Sequence, residues 1–117
     1  MKEVIPLPAA TVTLVRDSAQ GIEVLMMQRN FQSGFMPGMY LFPGGALDEA
    51  DASAEICALC AGLDDAAASR MLGMARGGLA YWVAAIRESF EEAGVLLSYD
   101  RSGSLVNLAD TDAAARY

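Results

Sequence analysis

Fifteen residues, Leu79 to Ala93, lie between a Gly77-Gly78 pair and Gly94 and contain neither glycine nor proline. Their apolar positions recur at helical spacing, so the segment is expected to form a helix that ends with Gly94 in the left-handed capping position. Set at 100° per residue, Glu91 falls about -60° and Glu92 about +40° from Glu88. All three carboxylates therefore share one arc of about 100°. Val83, Ile86, Phe90 and Ala93 form a narrow stripe on the other side, expected to face the core. Like charges at i, i+3 and i+4 cost a few tenths of a kcal/mol each on a helix surface. The helix dipole also disfavours negative charge near a C-terminus. Propensity does not select this arrangement. A hard divalent cation would turn the repulsion into coordination, and the plain alternative is a solvated acidic face.

The rest of the composition narrows the chemistry. The chain has 117 residues, enough for one domain with one core. Its formal net charge is -7, and Lys2 is the only lysine, which argues against a nucleic-acid surface. With no histidine, no Ser-His-Asp or Cys-His arrangement exists, and no phosphate loop of the G-x-x-x-x-G-K type is present. Carboxylates, arginine, backbone dipoles and a metal ion are what remain for catalysis. Cys57 and Cys60 lack the further ligands a structural zinc site needs and are expected to be ordinary half-buried thiols. No segment reaches the ~20 apolar residues of a membrane helix, and the N-terminus is a poor signal peptide, so a cytoplasmic protein without a membrane partner is expected.

Upstream, residues 9–16 and 22–28 read as strands around an Asp17–Gly21 loop, and residues 39–42 as a short strand. Pro43-Gly44-Gly45 suits a sharp turn with accessible backbone. The Ala-rich stretch from Leu47 to Met74 predicts one or two helices, and residues 95–98 begin another strand. Met26, Met27, Met36 and Met39 read as core filler, and Tyr81 and Trp82 as packing residues.

Arg87-Glu88-Ser89-Phe90-Glu91-Glu92-Ala93-Gly94-Val95 resembles the second half of the Nudix box, R-E-U-x-E-E-x-G-U. Gly45 with Asp51 resembles its first half, G-x5-E, with Asp for Glu, and Ser89 replaces an aliphatic. Residues 52–86, 35 positions, stand where the box has seven. Residues 52–79 are accordingly expected to be an Ala-rich insertion within the box, in a single partial domain covering residues 1–117. Leu25-Met26-Met27-Gln28-Arg29-Asn30, Gly38 and Phe42-Pro43-Gly44-Gly45 are similar to the L-L-T-x-R-S…G-x3-F-P-G-G stretch of coenzyme A diphosphatases. Gly34 stands where that stretch usually carries a second arginine. The insertion together with residues 34–38 points to the acyl-coenzyme A diphosphatase branch.

The resemblance implies an α/β fold, the Nudix α/β/α sandwich around a mixed sheet, here expected to be truncated after the box helix. It implies metal-dependent hydrolysis of a nucleoside diphosphate linked to another moiety, such as CoA or acyl-CoA, with Mg²⁺ or Mn²⁺ as cofactor. Glu88, Glu91, Glu92 and the Gly44 carbonyl would be metal ligands; Arg87, Glu88 and Glu91 would be the catalytic set. Arg29, Phe35 and Gly45 would contact substrate, Arg29 at the diphosphate and Phe35 by stacking on a base. A solvated strand-end arginine and a core phenylalanine are the alternatives for the first two. At the level of the whole chain, the alternatives are a non-catalytic Nudix remnant that binds a partner and a generic acidic calcium-binding helical protein. The latter lacks the D-x-[DN]-x-[DN]-G loop.

Overall fold

The structure is a computed structural model that describes residues 2–108. Six short strands alternate with irregular chain before three α-helices: β1 Ala9–Thr11, β2 Val15–Ser18, β3 Gly21–Val24, β4 Met27–Gln28, β5 Tyr40–Leu41, β6 Gly44–Ala46, α1 Ala54–Leu59, α2 Asp65–Leu72 and α3 Leu79–Ala93. A 3-10 helix, Glu49–Ala52, joins β6 to α1. This is the expected α/β class, with α3 packed against β1 and β6. The described ladders are all antiparallel pairs: β1 with β6, β2 with β3, and β4 with β5. Among the described residues no helix is long and apolar enough to cross a membrane.

The strands are shorter than their sequence patterns predict. Residues 9–16 divide into β1 and β2 because the two halves pair with different partners, β1 with β6 and β2 with β3. Residues 22–28 divide likewise between β3 and β4. The Pro43-Gly44-Gly45 segment is not a turn: Gly44 and Gly45 are strand residues opposite Thr11 and Ala10. Side-chain-free positions suit this strand because α3 lies on it. Residues 95–98 form no strand, and only an isolated bridge, Tyr99 to Leu105, follows α3. The tail beyond residue 108 lies outside the described residues. Met26, Met36 and Met39, expected in the core, are exposed because they fall on loop backbone rather than on a covered strand face.

The core is small and sits between α2 and α3. Ala68, Leu79 and Val83 are buried, with Ile56, Cys57, Cys60, Leu63 and Trp82 packed against them. Full burial of side chains like Leu79 and Val83 contributes about 1.5–3 kcal/mol each. Both cysteines are free, and the Cys60 thiol donates to the Ile56 carbonyl at 3.5 Å. The buried stripe of α3 runs through Leu79, Ala80, Val83, Ala84, Glu88 and Ser89, whereas Phe90 is 38% exposed. The helix is thus rotated relative to the periodicity reading. Ala80 and Ala84 let its backbone approach the strands, which carries Glu88 inward with them.

α3 begins on Gly78 without a side-chain cap of its own. Its first amides are satisfied from α2 instead. Asp65 accepts from the N–H groups of Gly77 (3.0 Å) and Leu79 (3.1 Å), and Ser69 Oγ accepts from Gly78 N–H at 2.8 Å. Gly78 rests so closely on Ser69 that a side chain there would overlap the α2 backbone. The Ala-rich segment is therefore a structural support of α3. Ser69 is buried, so Ser69→Ala leaves the Gly78 amide without a partner. The expected loss is about 1–2 kcal/mol, read as a shift of the chemical-denaturation midpoint with an unchanged slope.

Candidate functional site

The site is built where the C-terminal half of α3 passes β6. Ladder geometry decides what β6 offers. Val12 N–H donates to the Pro43 carbonyl at 2.9 Å, and Leu47 N–H donates to the Pro8 carbonyl at 3.0 Å. Alternation along an antiparallel pair then makes Ala10 and Gly45 a hydrogen-bonded pair, and Thr11 and Gly44 a non-hydrogen-bonded one. The N–H and C=O of Gly44 point away from β1. Those of Gly45 are spent on the ladder with Ala10.

Gly45 matters in another way. A Cβ at this position would run into the Glu88 carboxylate, and one at Gly44 would meet the Ala10 carbonyl. The absent side chains are what allow Glu88, itself buried, to reach the strand. Glu92 follows one turn later, and its carboxylate lies beside the Gly44 backbone and the Glu88 carboxylate. Loss of solvent and then the adjacent Glu88 carboxylate push the Glu92 proton affinity up, opposed by the Gly44 amide and by the charge of Arg29.

Glu91 does not join them. Its carboxylate takes a hydrogen bond from Arg87 Nη1 at 3.2 Å, and its side chain is 54% exposed. The rotation of α3 that buries Glu88 turns Glu91 outward. Among the described residues no group of three His, Cys, Asp or Glu side chains is placed to hold a metal ion. The site holds a pair of carboxylates, Glu88 and Glu92, with the outward-facing backbone of Gly44 beside them. These are oxygen donors of the kind a hard cation takes, and the like-charged pair would be relieved by one.

Arg87 organises this end of the helix. Its Nε donates to Asp51 Oδ1 at 2.9 Å and its Nη2 to Asp51 Oδ2 at 3.0 Å, a two-point pair with a side chain only 2% exposed. Nη2 also donates to the Ala46 carbonyl (3.0 Å), and Nη1 to Glu88 Oε1 (3.0 Å). Asp51 Oδ2 in turn accepts from Asp48 N–H at 2.8 Å, closing a reciprocal cap of the 3-10 helix. Sequence reading found Asp51 by its spacing from Gly45 but not this partnership. A buried carboxylate at such a distance along the chain has no local signal. Ser89, the other departure from the aliphatic pattern, is fully buried and donates its hydroxyl to the Ala85 carbonyl at 2.9 Å.

Arg29 and Phe35 are brought together as well. The guanidinium carbon of Arg29 stands 5.5 Å from the centroid of the Phe35 ring. A cavity of about 450 Å³ is lined by Met27, Gln28, Arg29, Leu41, Gly44 and Glu92.

The Arg87 hydrogen bonds hold the Asp51 carboxyl well below the usual carboxylate range, against the opposing effect of burial. A lowered folded value means stability that is present above the unfolded value of about 4 and is lost as pH falls through the lower folded one. Asp51→Asn should lower stability by about 2 kcal/mol at neutral pH, less than a fully buried pair because Arg87 keeps some solvent contact. The variant should also lose less stability than the parent on acidification below pH ~4, measured by urea titration across that range. Equal acid sensitivity in the two proteins would contradict the assignment.

Comparison with known proteins agrees with this architecture. The family model described as the NUDT19 Nudix domain matches residues 4–116. The human acyl-coenzyme A diphosphatase NUDT19 is 37% identical over an alignment covering 72% of this chain and 28% of the relative. The Gallus gallus protein of the same name is also 37% identical, over 64% of this chain and 25% of its own length. The chain thus spans about a quarter of the length of these curated relatives. The crystal structure of a NUDIX hydrolase from Alicyclobacillus acidocaldarius superposes with a TM-score of 0.62 at 32% identity, covering 94% of this chain and 52% of that one. With the family model matched over nearly its whole length, the chain belongs to the Nudix hydrolase family, in the branch of the NUDT19 Nudix domain.

Proposed function

We propose that this chain carries the metal-binding and diphosphate-cleaving elements of a hydrolase acting on a nucleoside diphosphate linked to another moiety, with CoA or acyl-CoA as the substrate class. The observation that carries this reading is the meeting of Glu88 and Glu92 at the outward-facing backbone of Gly44, on the edge of a cavity that also presents Arg29. The relatives named for acyl-coenzyme A diphosphatase activity supply the substrate class. In this reading residues 52–79 are an insertion within the box, used to cap and brace its helix.

A bound Mg²⁺ or Mn²⁺ would neutralise charge on the diphosphate and make a water molecule a better nucleophile. Glu88, Glu92 and the Gly44 carbonyl would hold it, and Glu91 would be a further ligand on giving up its Arg87 hydrogen bond. Arg87 holds Glu88 in place while remaining charged itself. Arg29, which lines the same cavity as Glu92, would face the diphosphate oxygens. The second reading, a non-catalytic remnant, draws on one observation: Glu91 is engaged by Arg87 rather than by the carboxylate pair.

Turnover of CoA, acyl-CoA and ADP-ribose with Mg²⁺ or Mn²⁺, and with EDTA, separates the two readings. The hydrolase reading expects metal-dependent cleavage and a loss on the order of 100-fold in Glu88→Gln and Glu92→Gln, the scale of cost for mispositioned reactants. Mg²⁺ should raise the melting temperature of the parent but not of Glu92→Gln. The sign of the Glu92 shift gives a further check. A raised folded value means stability present at low pH and lost as pH rises through it, so Glu92→Gln should melt higher than the parent at neutral pH without metal. Metal-independent turnover, or unchanged rates in both Gln variants, overturns the mechanism; no turnover with any of the three substrates favours the remnant.

A further inference from the structure

We infer that Phe35 is a positioning residue for Arg29, and that the two act as one phosphate-binding unit rather than as separate contacts to phosphate and base. The inference rests on the diphosphate-hydrolase reading and goes beyond it in assigning what the exposed ring does.

Arg29 follows directly on β4 and is tied to the far end of its loop on both backbone sides. Its N–H donates to the Met39 carbonyl at 2.8 Å, and its carbonyl accepts from Gly38 N–H at 3.1 Å. Gln28 Nε2 adds a bond to the Gly38 carbonyl at 3.2 Å. The loop between these ties is folded back by local turns. Ser33 N–H donates to the Asn30 carbonyl at 2.9 Å, and Ser33 Oγ both donates to the Phe35 carbonyl (3.2 Å) and accepts from Phe35 N–H (3.4 Å). Met36 next to it is in the left-handed region, with φ of 45°, a conformation a non-glycine residue adopts at a cost. The outcome is that Phe35, although 66% exposed, lays its ring across the Arg29 guanidinium instead of turning into a core.

Arg29 differs from the arginines at Arg16 and Arg87, which are paired with carboxylates. It makes no ion pair among the described residues, and its buried Nε has no hydrogen-bond partner there. A planar cation with no ion-pair partner among the described residues, lining the same cavity as Glu92, suits the oxygens of a diphosphate. The ring limits the rotamers of a long side chain, so less freedom is lost on binding. A base stacked on Phe35 would need no such arrangement of the arginine.

The test is a double-mutant cycle read by calorimetric binding of inorganic pyrophosphate and of ADP in the presence of Mg²⁺, using the parent, Arg29→Ala, Phe35→Ala, the double variant and Phe35→Tyr. Phe35 is exposed, and circular dichroism checks that each variant keeps the fold. Positioning expects Phe35→Ala to weaken both ligands alike, by about two- to five-fold, with Phe35→Tyr restoring affinity. It also expects no further loss when Phe35→Ala is added to Arg29→Ala. A loss confined to ADP, additive losses in the cycle, or no pyrophosphate binding by the parent overturns it. These outcomes are distinct from a failure of the hydrolase reading, which is decided by metal-dependent turnover.

Discussion

Arg87 and Asp51 form the contact on which the rest of the arrangement depends. One guanidinium reaches the 3-10 helix through both oxygens of Asp51, β6 through the Ala46 carbonyl, and its own helix through Glu88 and Glu91. Separating a buried pair of this kind is costly because the remaining charge is stranded. The pair therefore fixes the distance between α3 and β6 without a large apolar interface. The apolar core lies elsewhere, between α2 and α3, so this link adds a polar tie at the acidic end of α3 to its packing against β1 and β6.

Two consequences follow for the acidic residues. With α3 pinned, Glu88 is driven against Gly45 and Glu92 lies beside Gly44, where loss of solvent and the adjacent Glu88 carboxylate make Glu92 harder to ionise. Arg87 also draws off Glu91, which keeps a third negative charge away from the pair. Stability and the proposed chemistry thus pull in opposite directions at Glu92. Electrostatic crowding of this sort is common where a protein is shaped for a cation or a reacting group rather than for its own folding.

The segment between Ala52 and Leu79 illustrates how an apparently dispensable stretch becomes structural. It is rich in alanine, which says only that it is helical. In the fold, Asp65 and Ser69 supply the N-terminal hydrogen bonds that α3 lacks, and Ala68 lies under Leu79 and Val83. The helix that carries the acidic residues is thus held at both ends by residues remote in sequence: Asp65 and Ser69 at its start, Asp51 at its end.

The sequence by itself determined the elements whose causes are local. The limits of α3 follow from Gly78 and Gly94, and the observed helix has them. The spacing of Glu88, Glu91 and Glu92 and the absence of histidine are likewise properties of the chain alone, and they restrict the chemistry to carboxylates, arginine, backbone dipoles and a metal ion. Tertiary structure decided which way the acidic arc faces. Periodicity gives only the angles between residues on one helix, and it put Val83, Ile86, Phe90 and Ala93 on the core side. Packing chose instead the side of Ala80 and Ala84, because small residues permit close approach to β6, and this brought Glu88 in and turned Glu91 and Phe90 out. It likewise made Gly44 and Gly45 a strand, since β1 supplies their partners from more than thirty residues away. Hydrogen-bond and charge partners this far apart in sequence leave no trace in local pattern, and that is why Asp51, legible as a position, acquired its role only in the fold.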